Sequence, residues 1–237
     1  MCHILHYAPP ENISAKNIML TGQTAHHIRN VLRHKIDDKI FVTDGQGCRY
    51  ETKISNIKKT RVDTEIIKKI SIKQKHTIDL ELAFALLKGT RSEIIFEKGT
   101  ELGVKKFILF TSEFSVLTTL SRRKLERFRN IAISAMLQSQ QYYIPDIVFM
   151  QDLNCLLKNL GDYDVIFLAD RGGELSIRSR AKRVLYVVGP EGGFSDSEIE
   201  QFKNLGVELL SLGENRLRSE TAALSGIVKI LTLYKQI

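Results

Sequence analysis

The sequence predicts an α/β protein of two units: a small β-barrel over residues 1–73 and a larger domain over 74–237 built on a mostly parallel sheet. Three observations carry that prediction. Up to residue 73 the apolar residues come in short runs separated by turn residues, as strands of a compact barrel do. From Ile78 onward strand-like runs alternate with helix-like ones, which places crossover helices between parallel strands. Charge divides at the same place: residues 1–73 hold 13 Lys+Arg against 7 Asp+Glu, a net of +6, whereas residues 74–237 hold 22 against 20, a net of +2.

In the first unit, strands are expected at Ile18–Leu20, Lys39–Thr43, Tyr50–Ile57 and Val62–Lys68, with Asp44-Gly45-Gln46-Gly47 as a hairpin turn. A helix is expected at Thr24–His34, capped by Thr24 and buried through Ile28, Val31 and Leu32. That arrangement leaves His26, His27, Arg29, Arg33 and His34 mostly on the wetter faces. The polar stretch Ser71–Lys75 reads as the linker.

The second unit is expected to open with a strand at Asp79–Leu87 and a helix at Ser92–Leu102, stopped by Gly103. A strand at Lys106–Phe110 follows, then a long helix over Ser121–Gln141 whose first half carries Arg122, Arg123, Lys124, Arg127 and Arg129. A strand at Ile147–Met150, a helix at Leu153–Leu160 and a strand at Val165–Ala169 come next. Two further strand–helix pairs end the chain. Val184–Val188 is too short for a helix and bulky enough for a buried strand; it leads through Gly189–Phe194 to Ser195 and Glu198, which have capping-box spacing. Val207–Leu212 leads through a polar loop to a final helix beginning near Glu220, with Ser219 as its expected cap.

Composition narrows the function. No window of eighteen uncharged apolar residues exists, so no membrane span is expected. The opening MCHILHYAPPENIS lacks the basic and apolar regions of a signal peptide. Cys2, Cys48 and Cys155 are odd in number and show no CxxC spacing, which suits a reducing cytoplasm and offers neither a disulfide frame nor a zinc site. Adjacent His26 and His27 would point about 100° apart on a helix, a poor ligand pair, so no metal is expected. No serine or cysteine of the larger unit has a paired histidine for nucleophilic catalysis. Chemistry is therefore expected to rest on positioning and electrostatics around a reactive cofactor. The concentration of positive charge in the first unit suggests that it grips a polyanion.

Two glycine-containing loops leaving the carboxyl ends of neighbouring strands mark the place where an open α/β sheet binds ligands. GPEGGF has neither the glycine spacing of a dinucleotide turn nor the GK[ST] ending of a phosphate loop. Taken alone, Gly189, Gly192 and Gly193 are accounted for by a tight turn. The second loop adds Glu214, Asn215, Arg216, Arg218, Ser219 and Glu220 ahead of an otherwise apolar helix. Arginines at a helix N-terminus oppose the helix dipole. Arg216 and Arg218 therefore answer either to an anionic ligand or developing negative charge, or to Glu214, Glu220 or Glu191.

Several blocks together resemble the RsmE family of SPOUT-class RNA methyltransferases. They are Ala25–Arg33, Lys88-Gly89 with Arg91-Ser92-Glu93, Glu97–Gly103, Gly189–Phe194, and Leu212-Gly213 with Leu217-Arg218 and Glu220-Thr221-Ala222. The resemblance spans essentially the whole chain. It implies a PUA-like β-barrel followed by a SPOUT α/β domain with a deep trefoil knot, which also forms a homodimer. It implies methylation of N3 of a uridine in 16S rRNA of the small ribosomal subunit, with S-adenosyl-L-methionine as donor. Carried over by position, Leu168, Gly189, Pro190, Glu191, Gly192, Leu212, Gly213, Asn215, Arg216, Leu217 and Arg218 would surround the cofactor. His26, His27, Arg29, Arg33, Lys88, Arg91 and Gln138 would contact RNA. Arg218 would stabilise negative charge on the uracil, and either Glu220 or water would take the imide proton.

One block departs from the family. Where relatives carry Glu-Gln-Ser-x-Arg, this chain has Leu137-Gln138-Ser139-Gln140-Gln141, followed by Tyr142 and Tyr143. Those tyrosines would either stack on a base or serve as packing aromatics. Two other readings stay open: a SPOUT methyltransferase acting on another rRNA or tRNA nucleotide, and a non-catalytic RNA-binding protein of ribosome assembly.

Overall fold

A computed structural model describes residues 4–73, 77–170 and 181–237. The described residues fall into two units, the first from Met1–Lys75 and Ile133–Ile144, the second from His76–Ala132 and Pro145–Ile237. The sequence had placed Ile133–Ile144 with the second unit.

In the first unit, β1 (Leu5–Tyr7), β2 (Asn17–Thr21), β3 (Lys39–Thr43), β4 (Cys48–Ile57) and β5 (Arg61–Ser71) form one sheet in the order β1-β3-β4-β5-β2. The pairs are antiparallel except β1 with β3. Alternate residues Ile18, Leu20, Ile40, Val42, Tyr50, Ile54 and Val62 face a common core. The register shifts between Glu51 and Thr52 and again between Ile54 and Asn56, and such bulges bend a long strand pair.

The helix expected at Thr24–His34 is two pieces. A short α1 (Gly22–His26) passes into a π-helical turn over His27–Val31, and Thr21 rather than Thr24 occupies the N-cap position. Ile28 and Ala25 are its buried anchors, while Val31 is 60% exposed, so the proposed apolar stripe is narrower than its spacing implied. The Asp44–Gly47 turn is held from within: Asp44 accepts from the Gln46 and Cys48 amides and, at 3.1 Å, from the Tyr50 hydroxyl. Tyr143 lies against this turn and donates its hydroxyl to the Ile72 carbonyl at 2.8 Å. The Tyr142 carbonyl accepts from the Gly47 amide. Tyr143 is thus a packing aromatic of the first unit.

Buried His6 carries a testable consequence. It is 3% exposed and its Nε2 finds no partner among the described residues. Burial, and secondarily the nearby His27 and His34, lower its pKa from 6.5 to about 4. Between those values the unfolded chain binds the extra proton, so stability falls as pH drops through that window and is unaffected above it. The expected loss is on the order of 2–3 kcal/mol. Denaturant unfolding of His6→Leu should show a correspondingly smaller loss between about pH 7 and about pH 4.5 than the parent does.

The second unit is a six-stranded, wholly parallel sheet in the order β11-β9-β10-β6-β7-β8. Its strands are β6 (Asp79–Ala85), β7 (Lys106–Phe110), β8 (Asp146–Phe149), β9 (Val165–Ala169), β10 (Arg183–Val188) and β11 (Glu208–Leu210). The helices are α2 (Arg91–Glu101), α3 (Arg122–Gln138), α4 (Leu153–Leu157), α5 (Asp196–Asn204) and α6 (Ser219–Leu233). Because strand side chains alternate, both faces are apolar. Leu80, Leu82, Phe84, Phe107, Val184 and Tyr186 meet Ile95 and Phe96 of α2, Phe128 of α3, and Ala223, Ile227 and Ile230 of α6. Ala83, Ala85, Ile108, Leu185 and Val187 meet Leu153 and Leu156 of α4 and Phe202 of α5 on the opposite side.

The N-terminus of α5 carries the expected capping box, with the Glu198 amide donating to Ser195 Oγ and the Ser195 amide to Glu198. Ser219 is not a cap. It is the first residue of α6 and is buried, and Arg218 stands at the N-cap position without a capping hydrogen bond. The expected helix over Leu153–Leu160 is likewise shorter, giving way to a 3₁₀ turn at Leu160–Asp162. Residues 74 and 75 of the expected linker, Cys2, and residues 171–180 lie outside the described residues.

Candidate active site

Three neighbouring strands of the second unit end at one cleft. β9 delivers Leu168 and, just beyond, Asp170; β10 runs into Gly189–Phe194; and β11 runs into the loop that reaches Arg218. The cleft measures about 490 Å³ and sits at the strands' carboxyl ends, where crossover loops converge. Its walls include Leu168, Gly189, Pro190, Glu191, Gly192, Leu212, Gly213, Asn215, Arg216, Leu217 and Arg218. Every residue expected around the cofactor is therefore brought together by the fold.

Gly192 has a steric reason beyond the turn. A β-carbon there would lie 2.8 Å from the Phe114 Cβ, so the first loop can lie this close to the β7–α3 loop only without a side chain.

The charged groups pair differently from the sequence expectation. Arg91, expected to contact RNA, lines the cleft and donates Nη1 to Glu191 Oε1 at 3.1 Å, with its Nε 3.8 Å from Glu220 Oε1. The Lys88 amide adds a 3.4 Å hydrogen bond to the same Glu191 oxygen. One arginine thus ties the β6–α2 loop to the GPEGGF loop and to the start of α6. The second carboxylate oxygens of both Glu191 and Glu220 are buried and lack a partner among the described residues. Glu220, expected to be catalytic, stands behind Arg91 and is not among the residues lining the cleft.

With both acids engaged by Arg91, the arginines of the second loop are left for other work. Arg216 donates to the Glu191 backbone carbonyl at 3.3 Å rather than to a carboxylate. Arg218 is exposed and lines the cleft, and its side chain has no ion pair or hydrogen bond among the described residues. A cation held at the N-cap of α6 against the helix dipole, with no carboxylate paired to it among the described residues, is suited to a ligand's negative charge.

The other residues expected to contact RNA belong to both units. His26, His27 and Arg33 are exposed in the first unit, Arg33 in a left-handed conformation with φ of 56°. Arg29 is partly engaged, donating to the Lys59 carbonyl at 2.9 Å. Gln138 is exposed at the end of α3, and Lys88 is exposed in the second unit. Among the described residues no group of three His, Cys, Asp or Glu side chains is placed to hold a metal ion. No helix among them is long and apolar enough to cross a membrane.

The parallel sheet with this cleft, in a chain that also carries a curled antiparallel sheet, matches RNA methyltransferases of the SPOUT class with a PUA-like domain. The family model for the RNA methyltransferase domain matches residues 74–230, and that for the RNA methyltransferase PUA domain matches residues 20–67. Among curated proteins, ribosomal RNA small subunit methyltransferase E of Bacillus subtilis is 30% identical over 91% of this chain and 90% of its own length. Its counterpart in Mesomycoplasma hyopneumoniae is 31% identical, over 90% and 93%. The Neisseria gonorrhoeae methyltransferase E, solved with S-adenosylmethionine bound, superposes with a TM-score of 0.86 at 27% identity, covering 98% of both chains. A Legionella pneumophila protein, also solved with S-adenosylmethionine bound, gives 0.88 at 25% identity and the same coverage. The chain belongs to the ribosomal RNA small subunit methyltransferase E family.

Proposed function

We propose that this protein methylates N3 of a uridine in 16S rRNA with S-adenosylmethionine as donor, working as a homodimer in the cytoplasm on the small ribosomal subunit or its rRNA. The observation that carries the reading is the cleft formed jointly by the two βα-loops, with an arginine at its wall whose side chain has no ion pair among the described residues.

The cleft fits the cofactor. Its size is within the range for small-molecule sites, and its walls combine apolar Leu168, Leu212 and Leu217 with exposed loop backbone. The buried, unpartnered oxygen of Glu191 matches a ligand hydroxyl or ammonium donor. S-adenosylmethionine, when bound, supplies a methyl group already activated on a sulfonium. The residues of this chain then have two tasks: hold N3 of the uracil in line with that methyl, and make the imide proton leave. Arg218 performs the second by donating to uracil O2 or O4, where negative charge gathers as N3 loses its proton. The proton passes to water or to Glu220; Glu220 would have to act from behind Arg91, so water is the more direct acceptor. Arg91 keeps the two loops and α6 in register around the donor.

Calorimetry with S-adenosylmethionine tests the reading: saturable binding is expected, and no binding at millimolar cofactor would overturn it. Arg91→Met should weaken that binding by roughly tenfold or more, by releasing two carboxylates from one guanidinium. The salt dependence of RNA binding should stay unchanged in this variant, whereas an arginine serving a phosphate would lower the slope by about 1.

A further inference from the structure

We propose that the β7–α3 loop, residues 111–121, is a docking surface for single-stranded RNA, with Phe114 stacking on an unpaired nucleobase next to the target. The proposal rests on the reading that the chain acts on RNA.

Phe114 is 47% exposed although the loop on either side of it is tied down. The Glu113 amide donates to Glu198 Oε1 at 2.9 Å, and the Ser112 amide to Ser115 Oγ at 2.9 Å. Glu198 is itself buried in the capping box of α5. Further on, Leu117 and Leu120 pack against the core. The loop therefore has apolar anchors and still presents an aromatic ring to solvent. Phe114 also lies against Gly192, a wall of the cleft, so a base stacked on it would adjoin the reacting nucleotide.

The same segment leads directly into the basic start of α3. Within Arg122–Arg129 there are five cations and one acid, Glu126. Arg127 is held by Glu93 at 2.8 Å, but Arg123 and Arg129 are exposed without ion pairs among the described residues. Arg122 pairs with Glu126 at 3.2 Å, yet its side chain remains 93% exposed. Cations crowding a helix N-terminus oppose its dipole and repel one another; a polyanion relieves both. An aromatic platform continuous with a basic track is how unpaired RNA is held. A protein partner fits less well, because Ser112, Ser115, Thr118, Thr119 and Ser121 surround Phe114 and Val116 with small polar groups.

The chain contains no tryptophan, so Phe114→Trp gives a sole reporter at the proposed contact. Its emission should be quenched by 16S rRNA. Phe114→Leu, which keeps an apolar side chain but loses the ring, should raise the KM for 16S rRNA by on the order of 5–100-fold, with calorimetric affinity for S-adenosylmethionine unchanged. Phe114→Trp should recover most of that loss. The proposal is overturned if Phe114→Leu keeps the parent KM, or if the tryptophan responds to protein dilution and not to RNA, as a contact between copies would. Quenching of the Phe114→Trp form by RNA, together with no methyl transfer by the parent chain, would contradict the proposed function while supporting the docking surface.

Discussion

Arg218→Ala is expected to lower turnover on RNA by about 10²–10³-fold, the range for removing one donor aimed at developing negative charge. Affinity for S-adenosylmethionine should change little, because the other cleft walls remain. The expectation follows from the way charge is shared out in the cleft. Arg91 takes Glu191 and Glu220, and Arg216 takes a backbone carbonyl, leaving Arg218 without an internal partner among the described residues. Single-turnover kinetics beside calorimetry separate the two quantities. Near-normal turnover would remove Arg218 from the chemistry, and a parallel loss of cofactor affinity would make it a binding residue instead.

The second large effect is on stability. Gly226→Val is expected to cost about 3–5 kcal/mol. Any β-carbon at Gly226 would collide with the ring of Tyr186, which is fully buried in β10. Neither partner has room to move. Tyr186 is fixed by its hydroxyl donating to the Ala222 carbonyl at 2.9 Å, and α6 is fixed by buried Ala223, Ile227 and Ile230. Overpacking and a lost buried hydrogen bond add, while helix propensity returns only a few tenths of a kcal/mol. Thermal unfolding should show a Tm lower by about 10 °C. An unchanged Tm would mean that α6 packs on the sheet less tightly than this.

Much of the parallel sheet was legible because its strands are buried on both faces and read as short continuous apolar runs, as in Lys106–Phe110 and Val165–Ala169. The capping box at Ser195 and Glu198 was legible because its signal is local. What escaped the sequence depends on distant partners. β1 is only Leu5–Tyr7, and its pairing with β3 joins residues more than thirty positions apart. Ser219 satisfies every local rule for a cap, yet burial of the first turn of α6 makes it an interior residue. Tyr143 is claimed by the Asp44–Gly47 turn, far from it in sequence. The residues expected around the cofactor came from the family resemblance, and the fold gathers them into one cleft. The role of Arg91 was hidden, since no spacing rule pairs it with acids at positions 191 and 220. Phe114 had no signal at all, because exposure of a lone aromatic is a tertiary property.

The most direct test is to incubate the protein with 16S rRNA and methyl-labelled S-adenosylmethionine, digest the RNA to nucleosides, and assign the label by mass spectrometry. The account predicts label in N3-methyluridine and at a single site. Label on a ribose hydroxyl or another base, or no transfer by a chain that binds the cofactor, would contradict it.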